Sequence, residues 1–398
     1  MVSVQEIGAF LSSWKFVLLF YVILAIIIYI YRKKFQVEGG FILLYRTNFG
    51  IDFINRFTEK HKEFLKIVGY TAIGVGFIGM IAICGLLLKG IYELIFVPLA
   101  PPTLSLVIPG VQIPGSPIFV PFWYGIIALF IVIVVHEFGH GIIARSHGLK
   151  IKNTGFGFMG PLPLAFVEPD EKQVEKKDSI VQQSIFAAGP FFNVILVAVV
   201  LAVSFLVINP IVSSMVTAQG YEFSTIQKDF PADKYGLEKN VVYTSLNSQE
   251  INDSTQLVNA LSCVKPGESI TVGNSNNNVT LITAANPTDP TKGYLGISGI
   301  STNYVLKSQA WWFKGIYDLL FVLVSLLEWV ATLSLGIGLA NLLPLGPVDG
   351  GRMLNKAAVD INGKDKGVKV WSTISIITLI VMILLIFVPI IKHVLFKM

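Results

Sequence analysis

The side chains best suited to chemistry are His136, Glu137 and His140, which stand together in the stretch IIALFIVIVVHEFGHGIIAR. The stretch reads as a helix throughout. Residues four apart on a helix are neighbours on one face, so the two imidazoles can be offered to one metal ion. Glu137 then lies near enough to act on a water held there. In zinc sites of this kind three protein ligands leave a position open for water, whose pKa falls to about 7. The bland alternative is a chance pattern whose two histidines are satisfied core residues. Depth opposes it, because a charged group at the centre of a membrane span costs roughly 2.5–3.5 kcal/mol on insertion scales. Ionisable residues at such depth are functional by default. His61, His147 and His393 lack this company and read as surface residues.

Two histidines leave one ligand to be found, and the best candidate is Asp349 in NLLPLGPVDGGRM, residues 341–353. Pro344 and Pro347 remove backbone donors there. Irregular backbone at membrane depth is tolerated where it is buried in protein or lines a cavity, so the segment is predicted to be an interrupted helix end. The alternative is a cytoplasmic turn in which Pro, Asp and Gly act only as turn residues; beside HEFGH that reading recedes. Cysteine is no rival as ligand. Cys84 sits in an apolar run and Cys263 in a polar region, poorly placed to bridge and without the close pairing of structural zinc sites.

These residues must be positioned by elements suited to a bilayer, because 53% hydrophobic and 14% charged residues over 398 positions is too apolar for an ordinary soluble domain. Spans of about 20 apolar residues fit around 15–31, 66–97, 122–144, 183–208, 315–340 and 370–391, six in all. The first is followed by Tyr31, Arg32, Lys33 and Lys34 and reads as an anchor. The net charge of +5 is explained by topology, not by nucleic acid. Arg32 to Lys62, Arg145 to Lys152 and Arg352 to Lys366 cluster in alternate loops, which should be cytoplasmic. The uncharged, Pro- and Gly-rich connection Pro98 to Phe119 suits the opposite side, and the amino terminus should face outward.

One long polar interruption runs from about Asn209 to Tyr304 and is predicted to be a separate, water-exposed, extracytoplasmic domain. Val241–Leu246, Ser269–Val272 and Val279–Thr283 read as strands, and Ser254–Val264 as a short helix.

Both chemical motifs resemble those of the site-2 protease family of intramembrane zinc metalloproteases. The family's HExxH stands as HEFGH, and its Asn-x-x-Pro followed by Asp-Gly stands as Asn341, Pro344, Asp349 and Gly350. AAGPFFN at 187–193 resembles the family's Gly, Pro and Asn motif through Gly189 and Asn193. The insert resembles a PDZ-type domain through PADKYGL at 231–237 and PGESITV at 266–272. The resemblance implies an all-α polytopic membrane protein with a small α+β PDZ-like insert. Its parts would be amino-terminal helices over 1–120, a catalytic half over 121–208, the insert over 209–304 and a second catalytic half over 305–398. It implies one Zn2+ per chain on His136, His140 and Asp349, with Glu137 as catalytic base and Asn193 beside the substrate or oxyanion. Membrane-protein substrates and the bilayer would be its partners, with the active site toward the cytoplasm.

A helical substrate must unwind before its carbonyls can be attacked. GFGFMGPLPLAF at 155–166 is predicted to dip into the membrane as a hairpin that pairs with the unwound strand, unless it is simply a loop. The insert would gate access from outside. A metal transporter or an inactive scaffold with the same metal site are the alternatives, but neither needs a Glu directly after the first His. Glu328 would face the substrate path or an interface, on one span or two helices broken nearby.

Overall fold

The computed structural model describes residues 14–38, 42–97, 102–105, 107–114, 116, 118–159, 162–274 and 277–396. They form two compact units, one of residues 1–204 with 322–398 and one of residues 205–321. Among the described residues, five helices are long and apolar enough to cross a membrane: Ile51–Phe96, Phe122–Ser146, Ser179–Met215, Trp311–Asn341 and Lys364–Lys392. The sixth expected span is the shorter apolar helix α1, Trp14–Ile30, of 17 residues. Helix α2, Ile51–Phe96, runs 46 residues and is kinked at the exposed His61, so part of what reads as a basic loop is helix.

Helix α3, Phe122–Ser146, carries HEFGH. Pro121, with φ fixed near its helical value, precedes its first turn. Its other end is closed by Gly148 at φ +78, with Leu149 N–H bonded to Ala144 O and Gly148 N–H to Arg145 O. Those paired bonds form a Schellman stop, which needs the left-handed residue that glycine supplies. His147, expected at the surface, is instead half-buried, with Ser184 Oγ at 3.4 Å from Nε2 and Tyr70 against its ring. The side chain of His393 lies outside the described residues.

The membrane unit is not all-α. Strands β1 (Gln36–Glu38), β2 (Ile42–Thr47), β3 (Ile151–Met159) and β4 (Leu162–Pro169) form one antiparallel sheet in that order. The β3–β4 hairpin covers the predicted segment except Gly160 and Pro161, which lie outside the described residues, as does part of the 98–117 connection. The two added strands come from a stretch whose Lys and Arg made it read as loop. Arg46 explains the charge: its Nε lies 3.3 Å from Glu168 Oε2, and Asn153 Nδ2 donates to the same oxygen. A glycine on β3 makes the sheet close. Gly155 pairs with Phe166, and a Cβ there would meet the Tyr45 carbonyl and the Phe166 ring.

Helix α4, Ser179–Val203, continues through a π-helical turn, Ser204–Ile208, into the helix Asn209–Met215. In the second unit β5 (Val216–Ile226) pairs with a long carboxyl-terminal strand, Ile297–Leu306. Short strands Ser245–Leu246, Gln249–Glu250, Ser269–Gly273 and Asn278–Ile282 make a second sheet. Helix α5, Ser254–Ser262, is capped by Asp253, whose carboxylate accepts from Gln256 N–H. The expected strand Val241–Leu246 shrinks to its last two residues and a bridge at Tyr243. This unit has its own core, including Tyr221, Phe223, Leu257, Ile270 and Leu281.

Helix α6, Trp311–Asn341, is unbroken at the exposed Glu328. After an irregular turn, α7 (Asp349–Asn362) and α8 (Lys364–Phe396) end the chain's described part. Cys84 and Cys263 are free.

Because the second unit is cored separately, Leu257→Ala is expected to cost it about 2–5 kcal/mol. Hydrogen exchange on the full-length protein should show faster amides in 245–282 and unchanged protection in α3 and α4.

Candidate metal centre

Three side chains that the sequence singled out meet at one point. His136 Nε2 lies 3.1 Å from Asp349 Oδ2, His140 Nε2 lies 3.4 Å from it, and the two Nε2 atoms are 3.2 Å apart. Donor atoms of all three stand within 4.8 Å of one another. His136 and His140 are one turn apart on α3, as their spacing requires, with ring centroids 4.9 Å apart. Asp349 is brought to them from 213 residues beyond His136.

The local sequence explains how Asp349 arrives. Helix α6 ends at Asn341, and the turn that follows is held from α8, where Ser375 Oγ donates to Pro344 O and accepts from Gly346 N–H. The first turn of α7 then lies against the backbone just before it. A Cβ at Gly350 would run into the Leu342 and Leu343 carbonyls, and one at Gly351 into those of Leu345 and Gly346. Only glycines allow that contact, and Asp349 opens α7, where the helix dipole favours a carboxylate.

The far side of each imidazole is also occupied. His140 Nδ1 lies 2.7 Å from the Ile185 carbonyl of α4. A carbonyl only accepts, so Nδ1 carries the proton and Nε2 is left with its lone pair facing the cluster. His136 Nδ1 is 3.2 Å from the Asn193 amide nitrogen, while Asn193 Oδ1 is buried without a partner. Turning that amide by half a rotation makes Oδ1 the acceptor for His136 Nδ1–H, the tautomer that leaves Nε2 free to ligate. Two imidazoles fixed in the Nε2-lone-pair tautomer and one carboxylate form a donor set of the kind that binds zinc and leaves a position open.

Asn193 was expected beside the substrate. It is fully buried, its amide faces His136, and its carbonyl accepts from Ser334 Oγ of α6 at 3.0 Å. Gly189 leaves the clearance: a Cβ there would press on the Nε2 atoms of both histidines. Pro190, inside α4, removes the N–H that would otherwise bond the Phe186 carbonyl.

Glu137 points elsewhere. One residue on from His136 means a rotation of about 100°, and its Oε2 accepts the Val167 N–H of β4 at 3.2 Å. Nothing in the sequence pointed to Ile185, Ser334, Ser375 or Val167, because a backbone partner or a lone serine in an apolar run carries no pattern.

The model of peptidase family M50 matches residues 124–385, more than half of the chain. An uncharacterised protein of Methanocaldococcus jannaschii is 28% identical over 355 residues, covering 87% of this chain and 86% of that protein. The zinc metalloprotease RasP of Shouchella clausii is 25% identical over 239 residues, half of this chain and 55% of its own length.

Removing the outer partner of His136 is expected to weaken the site without removing a ligand. Asn193→Leu should lower divalent-metal affinity by about 10- to 100-fold, the usual loss for such a partner. Equilibrium dialysis with Co2+ or Zn2+ would measure it, and Gly189→Ala should act in the same direction.

Proposed function

The chain belongs to peptidase family M50, the site-2 protease family, and on that premise we propose that it is an intramembrane zinc metalloprotease. It would hydrolyse peptide bonds within or beside the transmembrane segments of other membrane proteins. The observation that carries this reading is the convergence of His136, His140 and Asp349 within 4.8 Å, the two histidines on a long apolar helix and Asp349 at the start of α7, with Glu137 next to the first histidine.

His136, His140 and Asp349 would hold one zinc ion, which supplies Lewis acidity to water and to the peptide carbonyl. Glu137 would take the proton from water and return it to the leaving amine. Its bond from Val167 N–H keeps the carboxylate aimed from a fixed point on β4. Asn193 is read as a positioning residue that holds the tautomer of His136.

Strand β4 is the edge of its sheet, since the order is β1-β2-β3-β4. Val167 N–H points outward to Glu137, so by the period of two Ala165 and Pro163 present their backbone to the same side. Pro163, with no N–H to give, suits an edge. An unwound substrate strand could pair there, bringing a carbonyl to Glu137.

The unit 205–321 is read as a PDZ-like module, extracytoplasmic if the basic loops are cytoplasmic. A transporter or a scaffold has no use for Glu137 beside such a cluster, so neither alternative is favoured.

Glu137→Gln should abolish cleavage of a membrane-inserted test substrate while keeping about one zinc per chain, because the base is lost and the ligands stay. Asp349→Ala should lose both. Metal analysis and gel-based cleavage of the purified protein, with and without chelator, would read this out; an active, zinc-loaded Asp349→Ala would refute the ligand assignment.

If the insert gates access, replacing residues 215–300 by a flexible linker should leave cleavage of a minimal substrate intact. Substrates with bulky outer domains should then be cut as well. Loss of minimal-substrate cleavage in a folded, zinc-loaded deletion protein would instead give the unit a direct role in binding.

A further inference from the structure

A cavity of about 140 Å³ lies against Glu137, between α3 and the β3–β4 hairpin. Its helical wall is one stripe of α3, Phe130, Val134, Glu137 and Phe138, spaced i, i+4, i+7 and i+8. The sheet supplies the opposite wall. Phe156 of β3 stands opposite Ala165 of β4, with its ring 6.0 Å from that of Phe130. The large residue across from the small one is what leaves the space open. Thr154, also at the wall, has spent its hydroxyl on the Phe49 carbonyl at 2.6 Å. Glu137 is thus the charged group of an otherwise apolar recess.

Water is a poor occupant, because a buried water needs two to four polar partners. Size points to the occupant: an engineered cavity of about 150 Å³ lined by Leu, Ile and Phe takes up one benzene ring. We propose that this recess is a specificity subsite, which takes one apolar side chain, of leucine or phenylalanine size, from the residue flanking the bond to be cut. The assignment rests on the proteolytic reading and adds to it which sequence is cut. Ala165 sets the depth of the subsite. It lies on the same outward edge of β4 as Val167, so a substrate strand paired with that edge would project alternate side chains past it.

The test uses full-length, zinc-loaded protein in lipid nanodiscs and a series of membrane-inserted substrates identical except for Gly, Ala, Leu, Phe or Trp at each position near the cut. Cut sites and kcat/KM are read by mass spectrometry. The wild type should prefer Leu or Phe at one flanking position over Gly by about 10-fold or more, the discrimination expected of an apolar pocket. Ala165→Leu fills the recess and should reverse that order, so that Ala is cut better than Phe. Phe130→Ala widens it and should admit Trp. A ratio between substrates is unaffected by a general loss of activity, so partial misfolding does not imitate the result. Ala165→Ser, which keeps the volume, should retain the wild-type order.

A wild-type preference that Ala165→Leu and Phe130→Ala both leave unchanged would overturn the subsite while leaving the protease reading intact. A flat wild-type profile would do the same. If the zinc-loaded wild type cuts no member of the series, the proteolytic reading fails, and the subsite falls with it.

Discussion

Two imidazoles and a carboxylate held nose to nose among apolar helices form the constraint on which the membrane unit depends. Each polar group would be costly in such surroundings unless every hydrogen-bonding position found a partner. Much of that demand is met from outside the cluster. Ile185 O takes the far proton of His140, Asn193 faces the far nitrogen of His136, and Ser334 in turn bonds the Asn193 backbone. Glycines do the rest. Gly189 gives room for both rings, and Gly350 and Gly351 let the first turn of α7 lie on the turn before it. Leu342 and Met353 then pack with Ala187 and Met80 in one buried cluster, so the approach of Asp349 is fixed by packing as well as by charge.

Helix α3 serves two neighbours at once. The face carrying His136 and His140 meets α4, where Gly139 lies against Ala188 and Phe192. The face carrying Phe130, Val134, Glu137 and Gly141 meets the hairpin, where Gly141 touches Val167. A turn of about 100° between adjacent residues therefore points His136 at the cluster and Glu137 at the hairpin while keeping them on one rigid rod. On the hairpin face the carboxylate at 137 is within reach of the Val167 N–H of β4.

How much of this could be read from the sequence varies with the range of the interaction. His136, Glu137 and His140 were legible because their geometry is that of a single helix, and the turn bearing Asp349 because proline and glycine mark an interruption. The hairpin was legible over 155–166, as an apolar stretch full of Gly and Pro, and its strands extend beyond that on both sides. Its partners were not. Ile42–Thr47 is a short apolar run beside basic residues, and its pairing with β3 across more than 100 residues leaves no local signal. Asn193 illustrates a different limit: its type and motif marked it, but whether its amide would face a substrate or a histidine depends on the packing of α4 against α3, which leaves no local signal.

The sheet supplies what helices alone do not. A cluster of helices can hold a metal, yet all its backbone groups are already bonded within the helices and offer nothing to an extended peptide. A strand with one unpaired edge offers those groups, and in this molecule that edge is tied to Glu137 by the Val167 N–H bond. Arg46, Glu168 and Asn153 brace the same strand, joining β2, β3 and β4 through charge-assisted bonds. The residues that looked like a cytoplasmic basic loop thus include Arg46, which braces the strand next to Glu137 from outside the matched family region.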